Sequence, residues 1–259
     1  MPTASVIIPS IGRGEALYDC KESLYKQTYQ DYEIIVVTEE GELAKLRNQG
    51  AKMARGRYLI FIDDDVICSA EWLANIIRTF EERPDCAGVS GPAVITKEFR
   101  RNRDIFSFKL FKFLYDIWFC GGRSSLPGHL TRSGAWTTGA CNASCKYDGP
   151  VHFLEACNMA YRSSVFFDHN GFDEEYKGVG DWSEPDLAFR VREAGYSLWF
   201  SRDAKLEHRP SKSGAFKKRR KDAPNRLANY LRFSEKWIKP CWEHSLYKWF
   251  LRSYYRIKG

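Results

Sequence analysis

The sequence predicts an α/β protein in which a mostly parallel sheet is flanked by helices. Short apolar runs near the start of the chain alternate with segments whose apolar residues recur every three or four positions. The order strand, helix, strand, helix, strand is typical of parallel strands joined by right-handed crossovers. With 259 residues, of which 44% are hydrophobic, the chain can form a sizeable core in one domain or in two small ones.

The first half of the chain consists of predicted strands and helices in alternation. The strands are continuous apolar runs, as strands buried on both faces require, whereas the helices have a 3.6-residue apolar spacing. Strands are predicted at residues 4–9, 32–37, 58–65 and 87–95, and helices at residues 15–25, 42–54 and 71–82. This half is therefore predicted to be an α/β domain of the nucleotide-binding type.

The second half of the chain is less regular. Residues 105–119 are unusually aromatic, and their apolar side chains cover more than one helical face. We expect this segment to pack inside the protein, with contact to lipid as the alternative. Residues 121–149 are rich in Gly, Ser and Thr, which is typical of a mobile segment near a functional site. Strands are predicted at residues 157–162 and 196–200, and helices at residues 163–169, 182–194 and 227–258.

The third predicted strand ends in three consecutive carboxylates, Asp63, Asp64 and Asp65. Ligands of open parallel sheets bind at the carboxyl ends of the strands. A cluster of hard oxygen atoms at this edge suits a divalent cation that carries a phosphate-bearing substrate. Acids of a solvated turn or of a helix cap are the alternative interpretation.

Basic residues are concentrated near the C-terminus. The formal net charge is +7, and much of the excess follows Lys205, which indicates an acidic partner such as a membrane, a nucleotide or a nucleic acid. Residues 211–226 form a basic loop that could close over a pyrophosphate, bind anionic lipid or remain solvated. The basic residues that could make these contacts are Lys212, Lys217, Lys218, Arg219 and Arg220.

The last predicted helix is amphipathic. Its apolar residues recur every four positions, and its basic residues lie on another face. These residues are Trp242, Leu246, Phe250 and Tyr254 on the apolar side and Lys248, Arg252 and Arg256 on the basic side. Such a helix suits a bilayer interface, and a helix docked on the protein body with a solvated basic face is the alternative.

The composition argues against secreted, disulfide-rich and membrane-spanning classes. Eight cysteines occur without a CxxC pair, so buried free thiols are favoured over a metal or disulfide framework. No apolar stretch approaches the ~20 residues that span a bilayer, and no basic segment followed by a long apolar one marks the N-terminus. The chain is therefore predicted to be cytoplasmic.

Several short motifs occur in a fixed order along the chain. They are VIIP at residues 6–9, EIIVV at 33–37, LRNQG at 46–50, FIDDD at 61–65, NMA at 158–160, GFDE at 171–174, SEPDL at 183–187 and His208. Together they resemble the family 2 glycosyltransferases of GT-A fold, inverting enzymes that use nucleotide-sugar donors. The likeness covers roughly residues 4–210. It implies a Rossmann-like GT-A domain at residues 1–210, followed by a basic, helical extension at residues 211–259.

The resemblance implies a metal site. The acidic triplet resembles the metal motif of the family, so Asp65 is the expected ligand, with Asp63 or Asp64 facing the ribose. His208 matches a late histidine that joins the metal site in the family. The implied ion is Mn²⁺ or Mg²⁺, and a neutral imidazole suits Mn²⁺ better. Such an ion stabilises the nucleoside diphosphate as the sugar bond breaks.

The resemblance also implies a catalytic base. The family places it in a Glu-Asp-x-Asp-Leu motif, which here reads Ser183-Glu184-Pro185-Asp186-Leu187. Glu184 is therefore the expected base, Asp186 is expected to position the helix or the acceptor, and Asp181 is the alternative base. These acids could instead simply complement the positive end of a helix dipole.

Donor recognition is implied for fewer residues. Pro9, Ser10, Arg47 and Asn48 fit the nucleotide pocket of the family, although Arg47 could equally be an ordinary helix-surface charge. Glu39 stands where family members often place an Asp after the second strand. The QxxRW motif of processive members is missing, which favours transfer of a single sugar over polymer synthesis.

The function implied is transfer of one sugar from a UDP- or GDP-sugar to a hydroxyl of a lipid-linked or cell-surface glycan precursor. A polyprenyl-linked acceptor would place the protein peripherally on the cytoplasmic membrane face, and no nucleic-acid partner is expected. One alternative is a sugar nucleotidyltransferase, but residues 10–14 match its expected Gly-rich phosphate loop only partially. The other is a non-enzymatic membrane- or nucleic-acid-binding adaptor, which would not need Glu184, His208 and a carboxylate triplet in one cleft.

Overall fold

The computed structural model describes residues 1–10, 14–95, 113–137, 139–141, 145–179, 181–210 and 222–258. The basic-loop residues Lys212, Lys217, Lys218, Arg219 and Arg220 lie outside this set, as do residues 105–112 of the aromatic segment.

The predicted alternation of strands and helices is present. The strands are β1 (Ala4–Pro9), β2 (Tyr32–Val37), β3 (Tyr58–Ile62), β4 (Val66–Cys68), β5 (Cys86–Ser90), β6 (Ala93–Val94), β7 (Gly149–Pro150), β8 (Asn158–Arg162), β9 (Ser197–Phe200) and β10 (Leu206–His208). The helices are α1 (Gly14–Tyr25), α2 (Leu43–Met53), α3 (Trp72–Glu82), α4 (Ser163–Asp168), α5 (Ser183–Glu193), α6 (Ala223–Trp237) and α7 (Trp242–Lys258). A π-helical turn, Asp116–Cys120, and a 3₁₀ turn, Gly139–Cys141, complete the regular structure described.

Within the described residues, the central sheet has seven strands in the order β2-β1-β3-β8-β5-β9-β7. Strands β2, β1 and β3 are parallel, and so are β5 and β9. This confirms the α/β class. Strand β8, however, runs antiparallel to both β3 and β5. The sheet is therefore mixed, a feature that apolar periodicity does not encode, because it says nothing about strand direction.

Strand β3 is buried on both faces, as its continuous apolar run predicts. Leu59 and Phe61 join one core cluster, whereas Tyr58, Ile60 and Ile62 join the cluster on the opposite face. Full burial of a side chain of this size contributes roughly 1.5–3 kcal/mol. The strand is thus a rigid support for the acids that follow it.

A second, smaller sheet lies at the end of β3. Its order is β4-β10-β6, with β10 antiparallel to β4 and parallel to β6. Two predicted strands are consequently shorter than expected: the strand predicted at residues 58–65 ends at Ile62, and the one predicted at residues 87–95 is divided into β5 and β6. The division occurs at Gly91, where a Cβ atom would lie 2.1 Å from the backbone oxygen of Ala204.

The C-terminal helices pack on the body of the protein. The helix predicted at residues 227–258 is two helices, α6 and α7, with Pro240 between them. Tyr247 and Leu251 of α7 are buried. On this inner face, α7 is therefore docked on the protein body, which was the alternative to a helix in a bilayer interface. Phe250, expected on the exposed apolar stripe, instead packs its ring 5.3 Å from that of Phe119.

The cysteines and the helices of the described residues can be examined directly. All cysteines whose side chains the structure describes are free, and Cys20, Cys68, Cys86, Cys120 and Cys157 are buried. Among the described residues, no helix has both the length and the apolar character needed to cross a membrane.

Candidate active site

One side of the candidate site is formed where the two sheets meet. Strand β3 ends at Ile62, Asp63 to Asp65 form the turn, and β4 begins at Val66. Strand β10 pairs with β4 so that His208 lies opposite Val66. This register brings Nε2 of His208 to 3.3 Å from Oδ1 of Asp65. Residues more than a hundred positions apart therefore meet because of strand pairing.

Three side chains form a group that fits a divalent cation. Asp63, Asp65 and His208 each offer one ligand atom, and these atoms all lie within 4.8 Å of one another. Two carboxylate oxygens and an imidazole nitrogen are a donor set that Mn²⁺ accepts, and Mg²⁺ accepts it less readily. The group contains Asp63, which the resemblance implied, with Asp64 as the alternative, to face the ribose. We call Asp63, Asp65 and His208 the metal side of the cleft.

The charge state of His208 reflects this acidic environment. Burial alone would lower the pKa of His208, but the hydrogen bond to Asp65 and the charges of Asp63, Asp65 and Glu155 raise it above its ordinary value. Since a metal-ligating imidazole must be neutral, cation binding here would compete with protons.

The opposite side of the cleft carries Glu184. This residue lies in the first turn of α5, next to Pro185, which is tolerated there because the first turn needs no intrahelical donor. Trp182, the residue before the first residue of α5, has a left-handed backbone with φ of 83°, a strained conformation for a residue other than glycine. Its ring packs 4.7 Å from Trp136 and 4.8 Å from Phe233, so the surrounding aromatic packing holds this turn in place.

Arg47 connects the two sides of the cleft. Its side chain is only 1% exposed, and its guanidinium donates a hydrogen bond to Oε1 of Glu184. The same group lies 3.5 Å from Oδ1 of Asp63 and donates to the backbone oxygen of Ala156 at 2.9 Å. Arg47 is therefore a buried cation, not a helix-surface charge.

Burial sets the protonation of Glu184. Desolvation raises the pKa of Glu184 above its ordinary value, and the charge and hydrogen bond of Arg47 only partly oppose this shift. A carboxylate with a raised pKa accepts a proton more readily than an ordinary one while it is still ionised. We call Glu184 and Arg47 the base side of the cleft.

Comparison with known proteins finds similarity to one family of glycosyltransferases. The family model described as glycosyl transferase family 2 matches residues 37–134, which include Arg47 and the acidic turn. The glucosyl-dolichyl phosphate glucuronosyltransferase of Haloferax volcanii is 20% identical over 232 residues, covering 77% of this chain and 66% of that protein. These matches support a family 2 glycosyltransferase.

Solved structures share the fold. The mannosyltransferase PcManGT from Pyrobaculum calidifontis, solved with GDP-Man and Mn²⁺, aligns with a TM-score of 0.59 at 17% identity, over 99% of this chain and 70% of that one. GalNAc-T7, solved with UDP, GalNAc and Mn²⁺, aligns with a TM-score of 0.63 at 15% identity, over 100% of this chain and 52% of that one. The GT-A fold predicted from the sequence is thus confirmed.

The chain spans only part of its relatives. It covers 66% of the Haloferax volcanii protein and 35% of the glycosyltransferase GlyG of Streptococcus pneumoniae, which is 26% identical over 106 residues. The activity of the chain is therefore a proposal.

Asp186 anchors helix α5, which carries Glu184. The carboxylate is fully buried and accepts hydrogen bonds from Trp237 at 2.8 Å and from Lys236 and Arg190 at 2.9 Å. Burial would raise the pKa of Asp186, but these donors and the charge of Arg190 hold it below its ordinary value. Of the two roles expected for Asp186, the structure favours positioning of the helix over contact with an acceptor.

Asp181, the alternative base, is already paired. Its carboxylate accepts a hydrogen bond from Nε of Arg226 on α6. Asp181 and Asp186 thus both connect the base helix to α6, whereas Glu184 is held by Arg47.

Two residues expected at the nucleotide also make hydrogen bonds inside the protein, and their roles in donor binding stay predictions. The amide of Asn48 donates to the Phe172 oxygen and to Glu174, and it accepts from the Phe172 nitrogen, so it clamps the Gly171-Phe172 turn. Asp64 is fully buried, and its carboxylate accepts a 2.6 Å hydrogen bond from Ser10. The Asp64–Ser10 bond ties the end of β1 to the end of β3.

The remaining donor candidates lie at the carboxyl ends of β1 and β2. Pro9 is the last residue of β1, and Ser10 follows it with 2% exposure. Glu39 is exposed and accepts a hydrogen bond from Gln49. Their roles in donor binding stay predictions.

Sequence reasoning missed Glu155, which precedes β8. Its neighbour Ala156 accepts from Arg47, and the sulfur of Cys157 lies 3.9 Å from Nδ1 of His208, so this segment touches both sides of the cleft. Burial raises the pKa of Glu155 to about 7, with Glu184 and Asp63 adding to the rise and His208 opposing it. In the sequence, Glu155 is marked only by its position, three residues before the Asn158-Met159-Ala160 motif.

Proposed function

We propose that this protein is a metal-dependent, inverting glycosyltransferase that moves one sugar from a nucleotide-sugar donor to an acceptor hydroxyl. The observation that carries the proposal is the position of Arg47. One buried guanidinium contacts Asp63 of the metal side and Glu184 of the base side, so both kinds of group converge on one side chain. A nucleotide-binding adaptor would not need that convergence.

The metal side would hold the cation. Asp63, Asp65 and His208 supply the ligands, and a bound Mn²⁺ or Mg²⁺ stabilises the negative charge of a nucleoside diphosphate leaving group. The solved relatives with GDP-Man and Mn²⁺ and with UDP, GalNAc and Mn²⁺ support a UDP- or GDP-sugar as the donor.

Glu184 would take the proton from the acceptor hydroxyl. Inversion requires that the hydroxyl attacks on the face opposite the leaving group. Glu184 is separated from Asp63 of the metal side by the guanidinium of Arg47. Arg47 fixes the carboxylate and opposes its protonation, whereas burial makes it a stronger base. In this proposal, Arg47 orients the carboxylate of Glu184, and Glu184 accepts the proton.

The acceptor is proposed to be a lipid-linked or cell-surface glycan precursor, for example a polyprenyl-linked glycan at the cytoplasmic membrane face. Two relatives support this class by their names: the glucosyl-dolichyl phosphate glucuronosyltransferase of Haloferax volcanii and the minor teichoic acid biosynthesis protein GgaB of Bacillus subtilis. The latter is 25% identical over 181 residues, 69% of this chain and 18% of that protein.

Donor binding tests the proposal directly. The protein is titrated with a panel of UDP-, GDP- and dTDP-sugars with and without Mn²⁺, by calorimetry and by release of the nucleoside diphosphate. We expect metal-dependent binding and slow hydrolysis of at least one donor. A folded sample that binds none of them would contradict the proposal, and pyrophosphate release from a nucleoside triphosphate with a sugar phosphate would favour a sugar nucleotidyltransferase.

A further inference from the structure

Exposed apolar side chains are concentrated on two neighbouring elements. Thirteen large hydrophobic residues of the described chain are exposed, and seven of them belong to residues 113–120 or to α7. These seven, which we call the aromatic patch, are Phe113, Leu114, Ile117, Trp118, Trp242, Leu246 and Trp249. Three of them are the exposed tryptophans of the described chain, with exposures of 62%, 71% and 65% for Trp118, Trp242 and Trp249.

An inner aromatic layer holds the two elements together. The ring of Phe119 lies 5.0 Å from Tyr247 and 5.3 Å from Phe250, and the hydroxyls of Tyr115 and Tyr247 are 3.3 Å apart. Tyr115, Phe119 and Tyr247 are buried, while the residues of the aromatic patch lie on the outer sides of the same elements. The outer rings are therefore supported by a packed layer, so their binding costs little ordering entropy.

The outer face of α7 combines tryptophan with arginine. Trp242, Leu246 and Trp249 are spaced four and three residues apart and form one stripe along the helix. Arg252 and Arg256, both exposed, follow near the same side. The single acid of α7, Glu243, lies 3.7 Å from Arg132. Tryptophan rings beside basic residues are typical of helices that lie in a membrane interface.

The charge of this face favours a bilayer over a second copy of the chain as its partner. In a dimer formed through this face, Arg252 and Arg256 of two positively charged chains would approach each other, which electrostatic repulsion opposes. An anionic lipid surface instead offers opposite charge to the arginines and a partly apolar layer to the tryptophans.

We propose that the aromatic patch binds the interface of an anionic lipid bilayer, with Trp118, Trp242 and Trp249 at headgroup depth and Arg252 and Arg256 against lipid phosphates. The patch belongs to the same helical layer as α6, whose Lys236 and Trp237 bind Asp186 in the base helix. A lipid-linked acceptor would thus be presented near the base side. This last step rests on the proposed function, whereas membrane binding does not.

Vesicle flotation tests the surface independently of catalysis. The full chain is mixed with phosphatidylcholine vesicles that contain or lack phosphatidylglycerol. We expect flotation with anionic vesicles, weaker flotation at high salt, and a blue shift of tryptophan fluorescence on binding. The variant W118A/W242A/W249A should lose flotation, whereas the control Y18A/Y25A, which removes two exposed rings of α1, should retain it.

A second variant tests the arginines. Loss of about 1 kcal/mol per basic residue corresponds to roughly fivefold weaker binding each, so R252Q/R256Q should bind anionic vesicles roughly 25-fold more weakly. Both patch variants should retain donor binding and transfer to a soluble acceptor, which separates this proposal from the proposed function.

Two results would overturn the proposal. One is failure of the folded wild-type chain to float with anionic vesicles at low salt. The other is a dimer in solution, measured by light scattering, that W118A/W242A/W249A converts to a monomer, because the patch would then join two copies.

Discussion

The metal side and the base side of the cleft are held in place in different ways. Asp63 and Asp65 follow a strand buried on both faces, and His208 reaches them through the pairing of β10 with β4. Glu184 depends instead on side chains: the guanidinium of Arg47 binds it, and Asp186 and Asp181 anchor its helix to α6. We infer that substitutions of single polar side chains far from the cleft disturb the base side more than the metal side.

Replacing Glu184, the proposed base, is the strongest test of the difference between the metal side and the base side. Glu184→Gln keeps the shape and the Arg47 contact but cannot accept the acceptor proton, so kcat should fall by about 10²–10⁴-fold. Donor affinity, measured by calorimetry with Mn²⁺, should remain within about twofold, because the metal side is intact. Glu193→Gln, at the exposed end of the same helix, is the matched control. Unchanged turnover in Glu184→Gln would move the base role to Asp181.

Asp65→Asn should act on the metal side alone. Substitutions of outer-shell partners already cost about 10–100-fold in metal affinity, so loss of a direct ligand should weaken Mn²⁺ binding by more than about 100-fold. Mn²⁺ titration followed by electron paramagnetic resonance measures this loss. Asp19→Asn, an exposed acid on α1, should leave Mn²⁺ affinity unchanged. Equal Mn²⁺ binding by Asp65→Asn and the wild type would remove Asp65 from the site.

Arg47→Met should affect both sides, because Arg47 contacts both. Breaking a buried ion pair costs about 3–5 kcal/mol, whereas the matched change Arg55→Met, in a pair whose arginine side chain is 70% exposed, should cost less than about 1 kcal/mol. Urea unfolding measures both. Arg47 also lowers the pKa of Glu184, so its removal should move the acidic limb of the pH–kcat/KM profile to higher pH. An unmoved limb would mean that Arg47 does not control the base.

Glu155→Gln should have the smallest effect, on stability and its pH dependence. The pKa of Glu155 is raised in the folded protein from 4.5 to about 7, mainly by burial, so the folded state binds its proton more tightly than the unfolded state does. The free energy of unfolding should therefore fall as pH rises from about 4.5 to about 7. In Glu155→Gln that fall should be reduced, making the variant about 1–3 kcal/mol more stable than the wild type at pH 8.

Urea unfolding of both proteins across this pH range, without divalent cations, provides the test. Parallel stability curves for the wild type and the variant would show that Glu155 does not titrate differently in the two states.

The elements of the first half could be predicted because each has its own apolar period. Residues 4–9 and 32–37 are predicted with the bounds that β1 and β2 have, and the helix at residues 71–82 differs from α3 by one residue. The direction of β8 could not be predicted, since it depends on the order of the strands in the sheet. The break between β5 and β6 could not be predicted either, because it depends on the close approach of Ala204 to Gly91.

For the site, the sequence supplied candidates but not their contacts. Asp65, His208, Arg47 and Glu184 are predicted from motifs, and the structure joins them through a chain of contacts that includes Asp63. No local pattern indicates that Asn48 clamps Phe172, that Asp64 faces Ser10, or that Arg47 contacts both Asp63 and Glu184. These contacts join residues distant in sequence, so tertiary packing alone determines them.

The hydrogen bonds of Asp186 determine how far this protein can be shortened. The family resemblance ends near residue 210, but a fragment that stopped there would remove Lys236 and Trp237 and leave the fully buried Asp186 with Arg190 and Tyr176. It would also uncover Trp182, whose ring packs against Tyr230 and Phe233 of α6. We therefore expect the smallest fragment that folds with Glu184 in place to include α6.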